Sequence, residues 1–189
     1  MALSSAGLLS QRLYGPPARP PQPSLGLTAA FGGKTDWETS KGEDRFRRGI
    51  YTLWRRSNPY PSMAAFDAPN REVCVLKRDR TNTPLQALVT LNDPAFVEAA
   101  QGLARRIAIY DLPSASLDQR IERIFELAIS RRPIARETEA IARLYHATRA
   151  ELAKDTIRAN QLATEPIGAL PLDSDAVELA TWTTICWEC

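Results

Sequence analysis

The chain has little of what most enzyme chemistry is built from. Its 189 residues include one histidine, His146, and three cysteines, Cys74, Cys186 and Cys189. So few thiols exclude a disulfide scaffold, and a zinc site would have to draw on nearly all of them. Cys186 and Cys189 form a C-x-x-C, but at the end of an expected helix. A thioredoxin-type thiolate needs the opposite end, where the helix dipole lowers its pKa. The pair therefore reads as ordinary semi-buried thiols. No C-x-x-C-H occurs, so the chain carries no covalent c-type haem of its own. Gly-x-Gly-x-x-Gly, P-loop, H-E-x-x-H and G-x-S-x-G patterns are missing as well. With no nucleophile elbow to serve, His146 reads as a helix-surface residue beside Tyr145. No apolar run reaches about 18 residues, so no transmembrane helix is expected. The opening MALSSAGLLSQRLYGPP lacks a basic n-region and a long apolar core, and does not read as a signal peptide. On that ground alone the chain as it stands would be cytoplasmic.

What is present suits a folded domain. The composition is 44% apolar and 24% charged, and the length leaves room for one core. The net charge of +2 hides an uneven spread. Residues 45–80 hold nine Lys and Arg against three Asp and Glu, whereas residues 81–189 hold eleven against fifteen. A basic middle segment could attract nucleic acid, anionic lipid or an acidic glycan. It could equally pair with the acidic helices that follow, and near-neutrality of the whole chain favours that pairing. Nucleic-acid binding has no recognition motif behind it.

Residues 16–23, PPARPPQP, hold five of the fourteen prolines and should lie extended as a strap across the domain. The segment RRGIYTLWRR, residues 47–56, suits a short helix or one strand, and its periodicity does not choose between them. Helix signals begin at residue 83. Thr83-Pro84-Leu85-Gln86 offers a cap, a proline at N1 and a glutamine at N3, with Leu85, Leu88 and Leu91 on one face. Asp93-Pro94 opens a second helix to about Ile109 that buries Phe96, Ala100, Leu103 and Ile107. Ser116-Leu117-Asp118-Gln119 opens a third, burying Ile121, Ile124, Phe125, Ala128 and Ile129 until Pro133 intervenes. A long helix from about Ala135 to Leu162 should pack antiparallel to it across a short turn. Asp175 caps a last helix bearing Leu179, Trp182 and Ile185.

The expected architecture is mostly α. An irregular, Pro- and Arg-rich part (1–80) precedes an antiparallel helical bundle (81–189). The opening residues read as the last turns of a helix ending near Tyr14, without a cap at Met1. The apolar stripe of the last helix still runs at Cys189. Both suggest an incomplete domain.

The densest polar text lies in residues 62–94. Asp67, Arg71, Glu72, Arg80, Asn82, Asn92 and Asp93, with Arg78 and Asp79, could converge if the loop folds back on the helix after it. One reading is a self-satisfied clamp, with arginine forks on carboxylates and asparagines meeting orphan backbone groups. The other uses Asp67 or Glu72 as an acid or base, with arginines holding an anionic substrate.

These motifs also resemble a known family. FDAPNREVC, KRDRTNTPLQALVTLNDPAFVEAA and RIERIFELAISRRPIARETE closely resemble the C-terminal part of the DUF1553, or PSD1, domain of planctomycete-type proteins. The resemblance runs from about Ala2 to Cys186. Relatives are usually longer, with an upstream DUF1549 domain, often a cytochrome-c-like haem domain before it, and an export signal. The resemblance implies a periplasmic or cell-envelope location, an upstream domain of the same parent protein as partner, and association with acidic or neutral polysaccharide. Any haem would belong to a separate upstream domain. The family supplies no established catalytic residue to carry onto this chain. The expected role is that of a structural or interaction module. The alternative is part of a hydrolase or redox-associated enzyme of polysaccharide degradation.

Overall fold

Side-chain caps set the helix starts wherever the sequence offers them. The computed structural model describes residues 1–23, 37–55, 59–69, 72–78, 80–111 and 114–188. The α-helices are α1 (Ala2–Ser5), α2 (Pro61–Ala65), α3 (Pro84–Asn92), α4 (Pro94–Arg105), α5 (Leu117–Ile129), α6 (Ala135–Leu152), α7 (Thr156–Thr164) and α8 (Ala176–Glu188). Thr83 and Ser116 each form the expected capping box, with Gln86 and Gln119 reaching back to the cap backbone. Asp93 and Asp175 accept the N–H groups of Ala95 and Val177. The fold is mostly α-helical and has no β-sheet among the described residues, with an irregular N-terminal stretch ahead of a helical bundle.

The chain forms two compact units, Met1–Leu8 with Phe96–Cys189, and Leu9–Ala95. In the first, Leu103, Ala104 and Ile107 meet Ile121, Ile124 and Phe125 of α5, Tyr145 of α6, and Trp182 and Ile185 of α8. A second cluster joins Leu152, Ala159 and Ala163 to Leu179 and Ala180. The predicted stripes of α4, α5 and α8 thus supply most of the core, although Phe96 and Ala128 are only partly buried and Ile129 is half exposed. After Arg105 the chain continues to Asp111 as a π-helical segment, so the helical path runs slightly past the expected Ile109. Helices α6 and α8 are antiparallel: Tyr145 meets Trp182, while Arg149, one turn on, reaches back to Glu178 and Asp175.

Glu178 sits in the middle of that contact. It accepts from the Tyr145 hydroxyl (2.6 Å), Trp182 Nε1 (2.8 Å) and Arg120 Nη1 (3.0 Å). Burial and the adjacent Glu178 carboxylate push the Tyr145 hydroxyl up to about 12. Buried Gln101 performs a comparable task for the loop after α7. Its amide donates to the carbonyls of Leu162 and Glu165 and accepts the Ile167 N–H.

Two expectations differ from the structure in this unit. The helix predicted from Ala135 to Leu162 ends at Leu152, and α7 starts afresh at Thr156. Asp155 is the cause: its carboxylate accepts the Arg158 N–H (3.0 Å), a local bond that competes with continued helix. At the N-terminus helix α1 stops at Ser5, well short of Tyr14. Tyr14 and Gly15 both take positive φ (62° and 100°), a left-handed turn that no helix passes through.

The second unit is held chiefly by polar bonds. Buried Arg47 donates to the carbonyls of Tyr14 and Pro16 and stacks 3.9 Å over the Tyr51 ring. The prolines do lie as a strap. Trp37 and Tyr60 donate to the carbonyls of Pro20 and Pro21, and Ala18 forms one parallel bridge with Thr52. Proline has a carbonyl but no N–H, so at Pro16, Pro20 and Pro21 the strap docks on donors from elsewhere. The described part of the ambiguous segment, residues 47–55, holds a 3₁₀ turn, Gly49–Tyr51, running into that bridge.

Candidate functional site

The sequence cluster is organised by the end of α2. Asp67 adopts the left-handed conformation (φ 57°) that commonly terminates a helix. Its carboxylate accepts the Thr81 N–H (2.8 Å) and the Thr81 hydroxyl (2.9 Å). These two bonds hold the Asp67 carboxyl below the usual range, with a smaller contribution from Arg78. Gln86 adds a second tie, donating to Thr81 Oγ1 and the Ala65 carbonyl, both at 3.0 Å. Arg78 donates to the carbonyls of Phe66 (2.7 Å) and Asp67 (3.2 Å). It meets the orphan acceptors at the end of α2 instead of forking onto a carboxylate. Residues 67 and 81 are thereby stapled at the neck of a loop.

The staple shapes a concave groove of about 1050 Å³ lined by Phe66, Asp67, Lys77, Arg78, Arg80, Thr81 and Gln86. Three of these are cations and one is a carboxylate already engaged by Thr81. Of the residues singled out in the sequence, Asp67, Arg78 and Arg80 line it. Glu72 is exposed on the loop, and Asn82 is exposed beside the α3 cap. Asn92 donates within α3 to the Leu88 carbonyl. Arg71 lies outside the described residues. Asp93 is 1% exposed and bonded to the Ser62 hydroxyl and the Ala95 N–H. Desolvation raises its pKa, and these bonds offset part of that rise.

Asp67 and Asp93 therefore serve different partners, and Asp93 does not line the groove. Lys77, Phe66, Thr81 and Gln86 were not among the sequence candidates. The run Lys77-Arg78-x-Arg80 directly before a capped helix was the signal available for Lys77. Phe66, Thr81 and Gln86 carried none, because the turn at Asp67 is what brings them together.

Elsewhere, His146 is exposed, packs edge-on against Tyr145, and lines a shallow depression with Arg149 and Asp175. Cys74 is exposed and Cys186 half-buried, and Cys189 lies outside the described residues. Among the described residues no three His, Cys, Asp or Glu side chains gather as a metal site, and no helix is long and apolar enough to cross a membrane.

One apolar feature lies next to the groove in sequence. Leu85, Leu88 and Leu91, the leucines that share one face of α3, are 57%, 57% and 46% exposed. Val73, Val75 and Leu76 on the preceding loop are exposed too.

These features define a helical module with a basic groove and an uncovered leucine face. Their most distinctive text, the capped TNTPLQAL helix and the LNDP that follows, is where family membership is also written. The chain belongs to the PSD1 family, described as "Protein of unknown function (DUF1553)", which matches residues 1–145. The match ends at Tyr145, short of the Cys186 expected from the motifs, so α7 and α8 lie beyond it. No curated protein and no solved structure matches the chain.

Proposed function

We propose that this chain is a structural and interaction module of a larger, planctomycete-type cell-envelope protein, docking on an upstream domain of that protein through α3 and the loop before it. The observation behind this reading is the leucine stripe on α3. Burying a leucine fully is worth about 1.5–3 kcal/mol, so three half-exposed leucines in register forgo roughly 1 kcal/mol each. Isolated exposed leucines are commonplace, but three on one helix face, with Val73, Val75 and Leu76 also exposed on the loop before it, are the kind of apolar exposure a partner covers. The cations Lys77, Arg78 and Arg80 beside it select a partner surface with an acidic border.

Hydrogen exchange tests the proposal. In the longer protein, amides of residues 84–92 should exchange more slowly than in the 189-residue chain, and Leu88→Asp should abolish the difference without lowering the melting temperature of the isolated chain. Equal exchange in the two proteins would overturn the docking reading.

The groove favours a second reading, in which the module binds polysaccharide. A hydrolase reading draws less support. Two opposed carboxylates across one cleft are what glycoside cleavage needs, and among the described lining residues Asp67 is the one carboxylate.

A further inference from the structure

We infer that the groove between the end of α2 and the start of α3 is a binding site for an acidic saccharide, its cations taking the carboxylate or sulfate group while Phe66, Thr81 and Gln86 face the sugar. The inference deepens the polysaccharide reading above and rests on it. It starts from what each cation is doing. Elsewhere in the basic segment, Arg47 is consumed by carbonyls and Arg48 donates to Gln11. Lys77 and Arg80, in contrast, make no hydrogen bond or ion pair among the described residues, although both line the groove.

Arg78 is different again. Its Nε and Nη2 are pinned by the carbonyls of Asp67 and Phe66, which leaves Nη1 unpartnered in the described structure. A guanidinium immobilised in this way has already lost its rotamer entropy, so binding an anion costs it less order. The one carboxylate among the described lining residues does not cancel these charges. Asp67 is occupied by two bonds from Thr81, and its low pKa keeps it ionised and fixed in that role.

The remaining lining narrows the ligand. A bare anion site would need only the cations. Here an aromatic ring, a hydroxyl and a carboxamide share the same concavity, the mixture of apolar face and neutral polar groups that a sugar ring presents in return. Nucleic acid, also anionic, would be expected to use a longer basic track with several stacking aromatics. Phe66 is the one aromatic among the described lining residues.

The test compares ligands and variants in the 189-residue chain at two salt concentrations. Polygalacturonate carries carboxylates, chondroitin sulfate carries both carboxylate and sulfate, dextran sulfate carries sulfate alone, and dextran is neutral. Single-stranded DNA supplies the competing polyanion. The acidic polysaccharides should bind and dextran should not. A Lys77→Ala/Arg80→Ala variant should weaken that binding about tenfold, at roughly threefold for each exposed cation. The control variant Arg136→Ala/Arg158→Ala removes the same charge from exposed positions on α6 and α7 and should bind like the parent. Phe66→Leu should weaken the acidic polysaccharides and leave DNA unaffected.

Failure can be assigned. If no acidic polysaccharide binds, both this inference and the polysaccharide reading fall. If binding occurs but survives Lys77→Ala/Arg80→Ala, or falls equally in the control, the polysaccharide reading stands and the groove does not. DNA binding tighter than every glycan overturns the choice of ligand.

Discussion

Removing the Glu178 carboxylate is the sharpest test of how the bundle is held. Three donors converge on it, and two belong to well-buried groups: Trp182 is fully buried, and the Arg120 side chain is 14% exposed. In Glu178→Ala the indole N–H and the Tyr145 hydroxyl lose their acceptor, at about 1–3 kcal/mol for each buried donor left unpaired. Arg120 loses its carboxylate partner in a largely dry setting, where breaking a buried pair costs about 3–5 kcal/mol. These losses share one environment and do not add. Arg149, half exposed, contributes little. The expected total is about 3–5 kcal/mol, or roughly 6–20 °C in melting temperature for a chain of this size. Glu178→Gln keeps an acceptor oxygen for Trp182 or Tyr145 and should lose about half as much. Chemical denaturation with a shared m-value would measure both. A loss under about 1 kcal/mol in Glu178→Ala would refute the reasoning, because the convergence would then be geometric only. The variants carry an independent optical signature. Without the carboxylate, the Tyr145 hydroxyl should titrate below its present value near 12, with Tyr145→Phe identifying the transition.

Two further outcomes follow from single contacts. A Cβ added at Gly102 would sit 2.7 Å from Leu8 Cδ1 and 2.8 Å from Cγ, so Gly102→Ala should destabilise despite a helix-propensity gain of about 1 kcal/mol. Leu8→Ala in the same chain should restore that gain; if Gly102→Ala alone is stabilising by urea melt, the packing argument fails. At acid pH, the Arg131 fork (2.7 Å on both oxygens), aided by the Ile134 N–H, lowers the Glu137 pKa from its ordinary 4.5 to about 2. Because the folded value is the lower one, its contribution is present above about 4.5 and is lost as pH falls towards 2. Arg131 is exposed and Glu137 only partly covered, so the effect on stability is small, but the titration is not. Arg131→Ala should move the Glu137 carboxyl resonance midpoint upward by NMR, and an unmoved midpoint would dismiss the fork as its cause.

Helices were the most legible part of the fold. Thr83, Asp93, Ser116 and Asp175 announced starts that the structure uses, since a cap is a bond between neighbours in sequence. The overlooked start, Asp155, obeys the same rule, but an uninterrupted apolar period masked it. The candidate site was legible in outline only. Asp67 and Arg80 do share a groove, but most of the bonds that shape it join residues 11 to 21 positions apart, beyond the reach of any local pattern.

The same division holds for the whole molecule. Composition excluded a disulfide scaffold, and local spacing specified a mostly helical chain with apolar stripes on α4, α5 and α8, because caps and the 3.6-residue period act within a few residues. Which stripes would be covered was a different matter. Leu179, Trp182 and Ile185 are buried, whereas Leu85, Leu88 and Leu91 at similar spacing stay open. Periodicity defines a face but says nothing of what packs on it. The destinations of Arg47, Arg78 and Gln101 were equally invisible. Each binds carbonyls of a turn, strap or loop, and a carbonyl in need of a donor leaves no mark on the sequence of the side chain that comes to meet it.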